Sequence, residues 1–284
     1  MINKIRIGKK IHDLSTPVIL GIINSTPDSF YDKSRTKSLD DAIHKIDNMV
    51  SEGVDWIDIG GYSTRPNASE ISIKEECERI IPVIIETHRN YPNLIISCDT
   101  FRGKVAEKAL HHGASIINDV SGGSIDSTLL DVVSEYQCPY VLMHSRGNPQ
   151  TMQTLTTYSN IFKDVAYYFS HMTKKLHVKG INDVILDIGF GFAKTTAQNH
   201  LLFSKLQDFA FLNKPLLVGV SRKSMIYKQL NCLPEDSLNG TTVLHTLALN
   251  AGAQILRVHD VKEAKEAIQL IQASTFQINP EKTN

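Results

Sequence analysis

Short apolar runs recur along the whole chain, separated by stretches whose apolar residues repeat with helical spacing. The runs are "PVILGIIN", "VDWIDIG", "LIISCDT", "SIINDV", "YVLMH", "DVILDIG", "PLLVGV" and "ILRVHD". They carry Val, Ile and Leu on both faces, as a parallel sheet covered by helices requires. Between them, "SLDDAIHKIDNMVSEG" sets Ala42, Ile43, Ile46, Met49 and Val50 on one stripe, with Ser38 as the expected N-cap and Gly53 as terminator. "SIKEECERIIPVIIETH" opens with Ser72 and Glu75 at capping-box spacing, and Pro82 should kink that helix or limit its first half. Eight strands alternating with helices, without a linker, predict an α/β fold: one (β/α)8 barrel domain over residues 1–284. A short hairpin before Pro17 should close the barrel bottom, and the polar tail from about residue 274 should fray. An open doubly wound sheet would want G-x-G-x-x-G after its first strand, and "GIINSTPDSF" has none.

Charge narrows the function classes. Lys plus Arg and Asp plus Glu number 30 each, so no basic excess exists to neutralise a nucleic-acid backbone. No apolar run is long enough to span a bilayer, and "MINKIRIGKK" lacks the apolar region of a signal peptide. Cys77, Cys98, Cys138 and Cys232 form no C-x-x-C pair, which favours reduced thiols in a cytoplasmic protein over a zinc or redox site.

In a (β/α)8 barrel the site lies where strands end and the following loops begin. Those positions hold Asn24, Asp58, Asp99, Asn118 with Asp119, His144 with Arg146, Asp187, Ser221 with Lys223, and Arg257 with His259. One Asx residue at a strand end commonly closes a turn; a ring of polar groups at all eight calls for more. Asp99, Asn118, Asp187 and Lys223 could read a flat heterocycle with donors and acceptors on its edge. A carboxylate such as Asp187 suits a guanidine-like edge, as in guanine or a pterin. Arg65, Arg257 and His259, with Asn24, suggest an anion site for phosphate or diphosphate. The stretch "DVILDIGFGFAKTT" follows the strand–loop–helix plan of a phosphate-binding loop, but Ala193 replaces the required glycine and the loop is too short. The histidines lack metal-ligand spacing, and His111-His112 reads as a helix end. Long connections at residues 25–37, 61–72 and 144–157 are candidate functional loops.

The stretches "GIINSTPDSFYD", "DIGGYSTRP", "SCDTFR", "IINDVSGG", "VLMHSRGNPQTMQ", "ILDIGFGFAKT", "VGVSRKS" and "RVHDV" together resemble the dihydropteroate synthase family over nearly the whole chain. The resemblance implies a homodimeric barrel transferase of folate biosynthesis and a sulfonamide target. Such enzymes join 4-aminobenzoate to 6-hydroxymethyl-7,8-dihydropterin diphosphate with Mg2+ assisting. It further implies that Asp99, Asn118, Met143, Asp187, Lys223 and Arg257 bind pterin, and that Asn24, Thr64, Arg257 and His259 grip diphosphate, Asn24 also touching Mg2+. Phe30, Thr64, Arg65, Pro66, Phe192 and Ser224 would surround 4-aminobenzoate, and Asp99, Lys223, Arg65 and Asp32 would carry catalysis. Departures from the family pattern are Tyr62 for Glu, Asn67 for Gly, Lys33-Ser34 for a Gly pair, Ile188 for Pro and Ala193 for Gly. Should position 193 require a positive φ, its Ala costs on the order of 1–2 kcal/mol. A pterin-binding paralogue without catalysis, and a methyltetrahydrofolate-type methyltransferase barrel, are the alternatives.

Overall fold

The computed structural model describes residues 3–25, 35–62, 70–148 and 150–276. An antiparallel hairpin, β1 (Lys4–Ile7) and β2 (Lys10–Asp13), precedes eight parallel strands. These are β3 (Val18–Asn24), β4 (Trp56–Gly60), β5 (Ile95–Asp99), β6 (Ile116–Asp119), β7 (Tyr140–Met143), β8 (Val184–Asp187), β9 (Leu216–Val218) and β10 (Ile255–Val258). Each pairs with its sequence neighbour, and β10 pairs with β3 to close the barrel. Every apolar run read from the sequence became one of these strands.

The helices between them are α1 (Arg35–Ser51), α2 (Ile73–Asn90), α3 (Gly103–His111), α4 (Thr128–Tyr136), α5 (Ile161–Val178) and α6 (Thr196–Ser204). After β9 come α7 (Ser224–Leu230) and α8 (Leu238–Asn250), and α9 (Val261–Phe276) follows β10. Strand side chains alternate between two cores, because successive residues of a strand face opposite sides. Outward residues such as Ile57, Ile59, Cys98, Ile117 and Leu186 pack under the helices. Inward residues Leu20, Trp56, Ile116, Val141, Ile185, Leu217 and Ile255 fill the bore, and Ile5 and Ile7 from the hairpin, with Leu14 just after it, plug its base. The expected closure of the barrel bottom is thus present.

Three helix expectations meet different outcomes. Ser72 caps α2, its Oγ accepting the Glu75 N–H at 3.1 Å, while the Glu75 carboxylate turns to Arg79 instead of completing the box. The helix runs unbroken through Pro82, so the proline does not divide it. Ser38 lies inside α1, whose first described residue is Arg35, so it is not the cap. Gly53 does terminate that helix, at φ +88°.

Candidate active site

The polar ring is built by the same alternation that fills the bore. Asp58 follows Trp56 by two residues, Asn118 follows Ile116, Asp187 follows Ile185 and Arg257 follows Ile255, so each faces inward one layer above an apolar plug. Arg257 joins them. Its Nε donates to Asp58 Oδ2 at 2.7 Å and its Nη2 to Asp99 Oδ2 at 2.7 Å. Asn118 Nδ2 donates to the same Asp58 oxygen at 2.8 Å. Asp58 is fully buried and its Oδ1 has no partner. It is the hub of the layer, yet sequence reading gave it no role. The available signal was a lone carboxylate in the middle of the apolar strand "WIDIG".

Electrostatics follow from this sharing. Burial works against the Arg257 charge, but Asp58 and Asp99 outweigh it and raise the guanidinium pKa. Burial pushes the Asp99 carboxyl up to about 7; Arg257 opposes the shift, and the neighbouring Asp58 charge adds to it. Asp99 therefore titrates near neutrality.

The loop after β8 sets the second half of the layer. Asp187 is buried, which raises its pKa against the pull of Lys223, and its Oδ1 accepts the Gly189 N–H at 2.8 Å. Gly189 sits at φ +70°, and a Cβ there would lie 2.1 Å from the His144 carbonyl oxygen, so only glycine fits. Lys223 precedes α7 and donates from Nζ to the Phe190 carbonyl at 2.6 Å, 4.9 Å from the centre of the Phe192 ring. Burial lowers its pKa to about 8, with Asp187 pulling the other way. Arg222 beside it holds φ +54°, and its guanidinium grips both Asp260 oxygens at 2.9 and 2.7 Å. Met143 is buried at the end of β7, under this loop. Ala193 does adopt a positive φ, +49°, so the cost of about 1–2 kcal/mol applies there. Thr195 caps α6 in a complete capping box with Gln198, which is what the threonine of the apparent phosphate loop does.

At the rim, the Ser221 Oγ accepts the His259 backbone N–H at 3.2 Å and lies 3.1 Å from His259 Nδ1. Burial, then Arg257, hold the His259 pKa down to about 4. The ring is thus neutral at pH 7 and not a second cation. Asn24 is exposed at the end of β3, and Phe192 and Ser224 are half-buried. Phe30, Asp32, Thr64, Arg65 and Pro66, with Lys33, Ser34 and Asn67, lie outside the described residues.

Three members of the predicted ring do not join it. Asp119 faces outward, its carboxylate accepting Ser121 N–H, Gly123 N–H and the Tyr140 hydroxyl. His144 is buried against Tyr158, Tyr168 and Phe169, and burial lowers its pKa to about 2. Arg146 stacks 3.8 Å from the Tyr158 ring centre. Each sits one residue or more out of phase with the bore.

The sequence and fold resemble those of known proteins. The chain matches the pterin binding enzyme family over residues 20–259. It is 41% identical to dihydropteroate synthase of Escherichia coli strain K12 over 264 residues, 92% of this chain and 93% of that protein. A Yersinia pestis dihydropteroate synthase crystallised with a sulfonamide drug superposes with a TM-score of 0.90 at 37% identity, covering 96% of this chain and 99% of the other. The Xanthomonas albilineans dihydropteroate synthase with 4-aminobenzoic acid superposes with a TM-score of 0.89 at 34% identity, covering 97% and 99%. The chain belongs to the dihydropteroate synthases, within the pterin-binding enzymes.

Proposed function

We propose that this protein condenses 6-hydroxymethyl-7,8-dihydropterin diphosphate with 4-aminobenzoate, giving 7,8-dihydropteroate and diphosphate. The observation that carries the reading is the bore layer itself: carboxylates at Asp99 and Asp187 and the Asn118 amide beside donors at Lys223 and Arg257, stacked above an apolar plug. Asp187, with Oδ1 oriented by Gly189, would accept the paired N–H groups of the pterin's guanidine-like edge. Asn118 and Lys223 would satisfy the rest of the ring's edge, and Met143 would wall one face. Arg257 is already held at the mouth by two carboxylates, from which it can reach a departing diphosphate.

The arylamine nitrogen attacks the pterin methylene as the C–O bond to diphosphate breaks; the diphosphate takes the electron pair and the amine proton passes to solvent. A weakly basic arylamine is already a free nucleophile, so alignment and charge stabilisation supply most of the rate. Asp99 stands next to the methylene position in this reading, and Arg257 with the neutral His259 ring receives the leaving group. Phe192 and Ser224, with Phe30, Thr64, Arg65 and Pro66, would form the 4-aminobenzoate pocket, and Asp32 would act with Arg65 in the closed site. Mg2+ fits Asn24: an exposed amide oxygen at the rim offers one hard ligand, and this ion usually keeps its waters and binds substrate phosphates. When bound it would neutralise diphosphate charge.

A homodimer is part of the same proposal, supported by exposed Val243 and Leu247 on α8 and Leu270 on α9, which lie on packed neighbouring helices. A cytoplasmic setting is supported by four free cysteines and by the lack of any described helix long and apolar enough to cross a membrane. The test is diphosphate release with each substrate and Mg2+ omitted in turn. Release that depends on 4-aminobenzoate and yields dihydropteroate is expected; pterin binding without turnover would instead favour the non-catalytic paralogue.

A further inference from the structure

Lys194, the lysine of the apparent phosphate loop, has no place in the site above. Its side chain is 5% exposed, and its Nζ donates to three backbone carbonyls, those of His144 at 3.1 Å, Gly189 at 2.9 Å and Phe192 at 3.0 Å. An ammonium has three N–H donors, and all are used. Two of the acceptors belong to the loop after β8 and the third directly follows β7, so the cation staples that loop to the end of the neighbouring strand. The stapled residues are the ones that shape the site. Gly189 donates to Asp187 Oδ1, and Phe190 between the two loop carbonyls accepts from Lys223.

A buried ammonium is a costly staple. Burial drives the Lys194 pKa down to about 7, with Asp187 pulling it back up. An apolar chain of the same length would fill the slot without that desolvation penalty. What an apolar chain could not supply is the three-way grip on main-chain oxygens and a positive charge behind Asp187.

We propose that Lys194 is a positioning residue: by chelating three backbone carbonyls it fixes the loop of residues 189–192, and so presents Asp187 as an oriented carboxylate and Lys223 at the correct reach for the pterin. This rests on the pterin assignment of Asp187 and Lys223 given above. Charges face Asp187 from three elements: Lys223 before α7, Arg257 on β10 and Lys194 on its own loop, each favouring the ionised form. Lys194 is faced in turn by Asp187, Lys223 and Arg146.

The experiment measures 6-hydroxymethylpterin binding across pH for the parent and Lys194→Met. The parent must bind; a parent that does not bind pterin would sink the synthase reading itself. Lys194→Met is expected to bind 10- to 100-fold more weakly, with KM for the pterin substrate raised and kcat changed far less. The acid limb of binding should move to higher pH, because Asp187 loses a charge that favours its ionised form. A folded Lys194→Met protein with parental affinity and an unmoved acid limb would overturn the proposal. Lys194→Ala adds a rescue arm: propylammonium, which can donate to the carbonyls, should restore affinity, whereas tetramethylammonium should not. A third readout needs no variant. Linkage is reciprocal, so saturating pterin must raise the Lys194 pKa, followed by its 13Cε shift, by about one unit per tenfold preference for the charged form. An unchanged Lys194 titration in the pterin complex would also overturn it.

Discussion

Replacing Asp58 by Asn tests the bore layer most directly. The substitution keeps the shape, and an amide oxygen at the Oδ2 position can still accept from Asn118 and Arg257. Only the charge is lost. Asp58 and Asp99 are gripped by the two ends of one guanidinium. Carboxylates so placed are on the order of 5 Å apart and repel by about 3 kcal/mol at an effective dielectric near 20, which is roughly two pKa units. Removing Asp58 relieves that repulsion and frees Arg257 to serve Asp99 alone. Both effects act in the same direction, so the Asp99 pKa should fall from about 7 by at least about one unit. The Asn118 hydrogen bond becomes a neutral one and the Arg257 bond keeps its cationic donor but loses its ionised acceptor, at a cost of about 1–2 kcal/mol, and pterin affinity should drop roughly tenfold. The assay is the Asp99 13Cγ shift followed from pH 3 to 9 in parent and variant, with pterin titrations alongside. An Asp99 that still titrates at about 7, or higher, would refute the contribution of the Asp58 charge to its shift.

Two other outcomes follow from the same geometry. Gly189→Ala should cost at least about 2 kcal/mol, from its positive φ and from the overlap with the His144 carbonyl, and should remove pterin binding; a melting curve within a degree of the parent's would contradict the contact. Asp99→Asn should change the pH profile of stability with a definite sign. The folded Asp99 pKa is raised, so the native state keeps a proton that the unfolded chain has released; its contribution is complete below about pH 4 and lost by about pH 7. Denaturant melts of the variant should therefore gain on the parent as pH rises through that window, by up to about 1.4 kcal/mol per unit, and a difference independent of pH would count against the raised value.

Much of this protein was legible in its sequence. Eight apolar runs alternating with helical stripes called for a parallel sheet covered by helices, the absence of a dinucleotide fingerprint favoured a barrel over an open sheet, and the runs coincide with β3 to β10. Local chemistry was legible too: Ser72 capping α2 and Gly53 ending α1 depend on residues within one turn of each other. The strand-end reading found Asp99, Asn118, Asp187, Lys223 and Arg257, and also swept in His144 and Asp119. The alternation of strand residues excludes those two once Met143 and Asn118 are known to face inward, but the phase of a four-residue strand depends on what it packs against.

The tertiary structure alone decided how these groups pair. Arg257 meets Asp58 and Asp99 from 199 and 158 residues away, and Lys194 reaches the carbonyl of His144 across 50. Barrel closure and strand register set those meetings, and neither is encoded in any local stretch. From the same register come the Asp58 hub, the near-neutral Asp99 and the neutral His259, because each depends on which charges share a buried space. Sequence specifies which groups reach the mouth; only the closed barrel determines which of them must share a proton or a counter-charge, since burial and distance set those energies.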